Sequence, residues 1–440
     1  MESFTIGTGA SIYTQRLLPA ILAAEQEIIL VTCYWAQSKT LTALCDALVQ
    51  LARRREAQQQ SNVTQPLRLR ICFSSRSLLQ KLLHTSSSDG YVYPPSTWTS
   101  KLGLPSPEVF AAGKIDVQVK SLFFLPFSVM HPKFLIVDRR RAFLPSCNIS
   151  WEPWLEGCLE LSRRASQDDP IDGLLRFYKG VWESDLDLAL FRPQVLEART
   201  EGPWEQSTSP IIVKSPADTS VDLSDIYVPP AAVEWLPSWH TRNPSFCLFP
   251  WQTPKAPETP LNTALLRLFD DATRSIILYT PNLTSPPVLS AVLRALARGV
   301  DVNIVTSRRM MVWEQVLTAW TTAERCIKSL TRKYTAMYDD DMNDLEAQTT
   351  RRGSLKISYY RPANRSVEGE EEEPMLSHLK LSIFDSEHTV LGSGNMDRAS
   401  WFTSQELGIV IHGTAFATAV KDTVDRALEA RLDPVFPAPQ

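Results

Sequence analysis

The chain has 440 residues, 44% of them hydrophobic and 21% charged, which suits two domains of ordinary size with insertions. Its net charge is −4 and its longest basic runs are Arg53–Arg55 and Arg139–Arg141. Non-specific nucleic-acid binding relies on counterion release by many Lys and Arg contacts, so this balance weighs mildly against a nuclease. The seven cysteines are scattered without CxxC spacing, which favours free thiols in a reducing compartment over a disulfide scaffold or a zinc site.

In chain order, Ile28 to Tyr34 reads as a strand, after which Leu41, Leu44, Cys45, Leu48 and Leu51 fall on one helical face. Leu67 to Phe73 and Ile115 to Phe124 read as strands, separated by a Ser- and Tyr-rich loop from Ser86 to Leu102. The run Leu122 to Met130 is a buried core strand or, on a second reading, a receiver of acyl chains. From Pro193 to Pro260 the chain holds 12 of its 31 prolines together with Trp204, Trp235, Trp239 and Trp251. The prolines oppose regular structure, yet the tryptophans are too apolar for a solvated tether, so this segment reads as a connector packed along the domains. Residues 1–192 and 259–440 are then the two domains, with 193–258 between them. In the second half, Ser275 to Thr280 is a strand, and Ser285 with Pro286 begins a helix that Gly299 ends. Asp301 to Thr306 and Leu355 to Tyr360 are further strands. The segment Tyr338 to Glu373, with Asp339–Asp341 and Glu370–Glu373, otherwise reads as a solvated loop insertion. Phe416, Val420, Val424, Leu428 and Leu432 trace a closing helix. Alternating helices and strands favour a mixed α/β layered fold.

One short pattern occurs in both halves. His131, Lys133, Asp138, Ser146 and Asn148 lie in HPKFLIVDRRRAFLPSCN, and His378, Lys380, Asp385, Ser393 and Asn395 lie in HLKLSIFDSEHTVLGSGN. In both copies His to Lys is two positions, Lys to Asp five and Asp to Asn ten. The duplication extends upstream: Ala24, Ile28, Ile29, Leu30 and Thr32 match Ala272, Ile276, Ile277, Leu278 and Thr280 at an offset of 248, against 247 between His131 and His378. Each His and Lys precedes an apolar run, Phe134–Val137 or Leu381–Phe384. On a strand, positions i and i+2 share a face, so the two polar heads project side by side. The Asn follows a hairpin return, Ala142–Leu144 or Thr389–Leu391, that brings its amide near them. One imidazole, one ammonium and one amide grip a phosphoryl group, and two such half-sites surround it.

The doubled H-x-K-x4-D-x6-G-S-x-N pattern resembles that of the phospholipase D superfamily. The resemblance implies two repeated α/β/α sandwich domains with mixed sheets and one active site at their interface, with no metal ion and no cofactor. It implies that one His attacks phosphorus to give a phosphohistidine, while the other protonates the leaving alcohol and then activates water or an acceptor alcohol. His131 and His378 would fill those roles, with a weak lean to His131 as nucleophile, and Lys133, Lys380, Asn148 and Asn395 would hold the phosphoryl oxygens. Family members also place a carboxylate after the Asn that hydrogen-bonds the His of its own motif. Glu406 fits that place, and Glu160 fits it in the first copy, with Glu156 as competitor. Asp138 and Asp385 are read as supports of strand and turn, and Ser146 and Ser393 as hydroxyls near the site or merely in a turn. Pro145 stands where the second copy has Gly392, a departure that threatens the position of Asn148.

The expected function is hydrolysis of a glycerophospholipid, or transfer of its phosphatidyl group to an alcohol, by a chain active as a monomer. The alternatives are a nucleic-acid phosphodiesterase and an inactive scaffold. Arg308, Arg309, Arg351, Arg352 and Arg398 are candidates for a positive mouth, or for solvated faces. No opening signal sequence and no apolar run of about 18 residues is present, so an intracellular location is expected, cytoplasmic or in peripheral membrane contact.

Overall fold

A computed structural model describes residues 1–59, 65–77, 80, 89–124, 128–149, 153–163, 169–189, 212–238, 249, 255–342, 352–363 and 371–436. Two large mixed sheets repeat one strand order. The first runs Trp154–Ser162, Arg141–Pro145, Phe134–Val137, Glu27–Tyr34, Leu67–Ser75, Ile115–Ser121, and the second Glu406–His412, His388–Gly392, Leu381–Phe384, Ser275–Tyr279, Asp301–Thr306, Leu355–Tyr360. In each, three parallel strands joined through helices meet an antiparallel meander that carries the repeated motif.

Helices cover the outer faces: Lys39–Gln59 in the first half, and Pro260–Asp271 with Pro286–Ala297 in the second. Between the sheets lie Pro170–Val181 and Thr414–Leu428, whose Leu174, Tyr178, Val420 and Val424 join one core with Ile29, Phe134 and Ile136 of the first sheet and Ile383 and Ile409 of the second. Each fully buried aliphatic side chain in that layer is worth about 1.5–3 kcal/mol, which holds the halves face to face. Local sequence starts these helices cleanly. Asp169 accepts from the Ile171 N–H at 2.8 Å and Thr259 from the Asn262 N–H at 3.3 Å, each followed by proline at the first helical position.

The connector does more than pack along the halves. Its described part supplies Thr219–Asp222 to the edge of the first sheet, beside Ser3–Thr8, and Val233–Ser238 to the edge of the second, beside Glu406–His412. Proline is tolerated in the latter because an edge strand leaves one side unpaired. Trp235 lies in that edge strand, while Trp204, Trp239 and Trp251 fall outside the described residues.

Other expectations need adjustment. The closing helix ends at Leu428, and Leu432 begins an antiparallel edge strand, Leu432–Phe436. The expected loop before Leu102 carries the short strand Tyr91–Val92 and helical turns from Pro95 to Leu102. The helix Ala323–Met342 runs into the start of the acidic segment, and most of the segment's remaining loop residues lie outside the described set. Leu122, Phe123 and Met130 are buried, but the described part of that run forms two short paired strands, Phe123–Phe124 and Ser128–Val129, in place of the expected single core strand, and residues 125–127 lie outside the described residues. Among the described residues Cys45, Cys72, Cys147, Cys158 and Cys326 are free thiols, and Cys247 lies outside the described residues. Among the described residues, no helix is long and apolar enough to cross a membrane.

Candidate active site

The repeated segments meet through exchanged backbone pairing. Leu376–Ser377, just before His378, pairs in parallel with Trp154–Leu155 of the first sheet, and the His378 N–H donates to the Leu155 carbonyl at 2.8 Å. Met130 bridges Gln405 in the same sense, with the His131 N–H donating to the Gln405 carbonyl at 2.9 Å. Each histidine is thus held against the other half's last meander strand.

That exchange decides which carboxylate each imidazole meets. His131 Nδ1 lies 2.9 and 3.0 Å from the Glu406 carboxylate oxygens, and His378 Nδ1 lies 2.8 and 3.1 Å from those of Glu156. The pairing is crossed between halves, contrary to the expectation that each carboxylate serves the His of its own motif. Glu160 is also displaced from the role expected of it. It lies four residues farther along the same strand face as Glu156, about 13 Å away at strand rise, and there receives the Arg141 guanidinium at 2.6 Å and the Ser3 hydroxyl at 3.0 Å. Glu156 follows Asn148 by eight positions where Glu406 follows Asn395 by eleven, because the loop after Asn148 is shorter than its counterpart, which carries the helix Arg398–Phe402.

The remaining motif residues divide by role. Ser146 donates to Glu156 and Ser393 to Glu406, and each hydroxyl oxygen also accepts a backbone N–H, from Gly157 at 2.9 Å and Leu407 at 3.0 Å. The two serines therefore hold the carboxylates that hold the imidazoles. Lys133 and Lys380 donate to the carbonyls of His131 and His378 at 2.8 and 2.9 Å. Both histidines and lysines stand just ahead of the apolar strands, in extended chain, not within them.

The aspartates lie at the far ends of those strands. Asp138 accepts from the N–H groups of Glu25, Gln26 and Glu27 at 2.7–3.0 Å. Asp385 accepts from those of Thr273, Arg274 and Ser275 at 2.8–2.9 Å. Both have left-handed backbones, φ 51° and 53°, in the turn of the motif hairpin. They clamp the start of the neighbouring strand.

Pro145 does not disturb the first half-site. It ends the strand Arg141–Pro145 opposite Cys158, and the next residues keep the bonds of the second copy. Gly392 cannot be exchanged so easily, because a Cβ there would meet the Leu407 carbonyl oxygen at 2.3 Å. The amides do differ. Asn148 is held by its oxygen, which accepts from the Cys33 and Tyr34 N–H groups at 3.2 Å each, leaving Nδ2 buried and without a partner among the described residues. Asn395 donates through Nδ2 to Asp397 at 3.0 Å, leaving Oδ1 without one.

Burial dominates the electrostatics. It lowers His131 to about 4 against the pull of Glu406, with Lys133 and Lys380 adding to the fall. His378 is pushed well below its ordinary value by burial, the same two lysines and His131. Glu156 is pushed up to about 8 by burial, and Lys380 down to about 7, both against attractive neighbours. His378 also lies against the Trp154 ring, centroids 4.9 Å apart, and its side chain is 2% exposed against 12% for His131. Arg398 is buried over the Phe402 ring, and Arg351 lies outside the described residues. Among the described residues no group of three His, Cys, Asp or Glu is placed to hold a metal ion.

Known proteins of similar sequence or shape can now be set beside this geometry. Residues 265–428 match the family described as cardiolipin synthase, PLD-like domain. No curated protein matches the chain. Among solved structures, phosphatidylserine synthase from Haemophilus influenzae Rd KW20 aligns over 99% of this chain and 87% of its own, with 14% identity and a TM-score of 0.55. Polyphosphate kinase from Porphyromonas gingivalis aligns over 99% of this chain and 48% of its own, with 10% identity and a TM-score of 0.50. Nuc from Salmonella typhimurium aligns over 46% of this chain and 97% of its own, with 18% identity and a TM-score of 0.29.

Proposed function

We propose that this chain, whose residues 265–428 match a PLD-like domain, is an enzyme of phospholipase D type that cleaves a glycerophospholipid phosphodiester through a phosphohistidine, passing the phosphatidyl group to water or an alcohol. The observation that carries this reading is the pair of imidazoles, one half-buried and one buried, each fixed at Nδ1 by a carboxylate that sets the tautomer and orientation of the ring. His131, neutral at pH 7 and the more accessible of the two, is the nucleophile. The His378–Glu156 pair takes up a proton near neutrality, since burial holds the Glu156 carboxyl up to about 8, and it is the acid.

In the first step the His131 Nε2 lone pair bonds to phosphorus, the bond from phosphorus to the leaving oxygen breaks, and the proton of the His378–Glu156 pair goes to that oxygen. In the second, the pair takes a proton from water or an acceptor alcohol, whose oxygen displaces His131. Two lysines and the unpartnered Asn148 N–H stabilise charge on the non-bridging oxygens. The matched family model is described by a cardiolipin synthase and the similar full-length fold belongs to a phosphatidylserine synthase, which supports a lipid phosphodiester and an alcohol acceptor.

The test incubates wild type, His131→Ala and His378→Ala with mixed phospholipids plus a primary alcohol, and in parallel with single-stranded and duplex DNA. Released head group or a new phosphatidyl alcohol, absent from both variants, is the expected result. Cut DNA with intact lipid contradicts the substrate class, and turnover of neither contradicts the enzyme.

A further inference from the structure

The helix Val312–Ala319 is built inside out. Its buried positions are polar: Gln315 donates to the Met310 carbonyl at 2.6 Å and accepts from the Ala323 N–H at 2.6 Å, and Thr318 donates to the Glu314 carbonyl at 2.7 Å. Its outward face is apolar, with Trp313 81% exposed, Leu317 53% and Trp320, at its C-terminal cap, 46%. Positions i, i+4 and i+7 form one stripe on a helix. Ordinary surface helices put such a stripe inward. Non-glycine residues with left-handed backbones, Arg309, Met311 and Trp320, bracket this one, a local cost that persists only where the surroundings hold it.

Its place in the fold is next to the histidines. Ser307, at the end of the preceding strand, donates to the Ser377 carbonyl at 2.6 Å and accepts its N–H at 2.9 Å, one residue from His378. The helix packs on Arg398–Phe402, which follows Asn395. Beside the stripe, Arg308, Arg309 and Lys328 line an open depression of about 540 Å³ with a single carboxylate, Glu324, so this corner is cationic in a chain of net charge −4. Tryptophan favours the level of lipid head groups, and arginine beside it adds attraction to anionic lipid.

We propose that this stripe docks the protein on a bilayer containing anionic phospholipid, presenting the neighbouring site to the membrane. The choice of a bilayer as occupant rests on the phospholipid reading above, together with the Trp–Leu–Trp composition and the arginine fringe. Docking by this face delivers substrate from the membrane surface.

The full chain is sedimented with vesicles of phosphatidylcholine, with and without phosphatidylglycerol, beside a variant combining Trp313→Ala, Leu317→Ala and Trp320→Ala and a second combining Arg308→Glu and Arg309→Glu. The first variant is expected to lose at least about tenfold in partitioning and in turnover on vesicles, and to keep turnover of a water-soluble short-chain phosphodiester within about twofold. The second is expected to lose the preference for anionic vesicles. Equal sedimentation of wild type and the tryptophan variant overturns the proposal, as does a wild type that stays in the supernatant. A dimer that the triple substitution turns into a monomer assigns the stripe to a second copy and overturns it too. Vesicle binding lost in the variant, without phospholipid turnover by wild type, supports docking and removes the lipid-substrate reading. Turnover of dispersed lipid without vesicle binding does the reverse.

Discussion

Set side by side, the His131–Glu406 and His378–Glu156 pairs use the same atoms. Each imidazole Nδ1 meets a carboxylate that also accepts a serine hydroxyl. They differ in their surroundings: His378 is covered by Trp154 and nearly sealed, whereas His131 keeps a solvent-facing edge. The amides differ too, Asn148 holding a spare donor and Asn395 a spare acceptor. Duplication therefore supplied two equal constellations, and the loops around them made the halves unequal. That inequality is what two different jobs, attack and protonation, require.

The largest expected effect separates the two histidines. His131→Ala should lower turnover by about 10⁴-fold or more and yield no covalent adduct. His378→Ala should lose a similar factor on phospholipid and still form the adduct from a p-nitrophenyl ester, whose leaving group needs no proton. Burst kinetics with that ester read the difference, and equal behaviour of the two variants removes the division of labour.

Next come the crossed carboxylates. Glu406→Gln should behave as a weakened His131 variant and Glu156→Gln as a weakened His378 variant, each losing about 10²–10⁴-fold in kcat, while Glu160→Gln stays within about twofold of wild type. Double-mutant cycles then report coupling within His131/Glu406 and His378/Glu156 and little within His131/Glu156. Coupling inside each motif instead of across them breaks the comparison.

The pH dependence sharpens it. The proposed attack needs a neutral His131, so kcat/KM should rise on an acidic limb near pH 4. It should fall above pH 7–8 as Lys380, at about 7, and the Glu156 pair, at about 8, lose their protons. Stability follows the same histidine with a definite sign. Its folded pKa lies below the ordinary 6.5, so its contribution is intact above 6.5. On acidification toward 4 the unfolded chain takes up a proton that the folded one refuses, and up to about 2–3 kcal/mol is lost. Urea melts of wild type and His131→Leu between pH 7 and 4 measure it, and parallel curves contradict it.

The smallest effect concerns the aspartates. Asp138→Ala and Asp385→Ala remove a carboxylate that accepts three backbone N–H groups, and each should cost about 2–3 kcal/mol in stability with kcat changed less than about threefold at a temperature where the variant is folded. A catalytic collapse in a folded Asp variant places these residues in the chemistry after all.

Much of this was legible in the chain because it is written in local period and spacing. The strands Asp301–Thr306 and Leu355–Tyr360 and the helix Pro286–Ala297 appear where periodicity and capping put them, and the doubled His–Lys–Asp–Asn pattern marks both half-sites. The crossed pairing was not legible, because it arises when the chain before each histidine pairs with the other half's strand, an event without local signature. Choosing Glu156 over Glu160 depends on loop length, since both face the same way on one strand. The connector's edge strands were hidden among its many prolines, one of which, Pro237, sits inside Val233–Ser238, where a sheet edge accepts it. The inverted helix Val312–Ala319 reads from sequence as any amphipathic helix. Only its contacts reveal that the apolar stripe faces out.

The most direct measurement is acid-quench trapping with the p-nitrophenyl phosphodiester, followed by peptide mapping of the phosphorylated histidine in wild type and His378→Ala. A single adduct on His131, accumulating in the variant, is the predicted result. An adduct on His378, on both rings, or on neither while turnover continues contradicts the account.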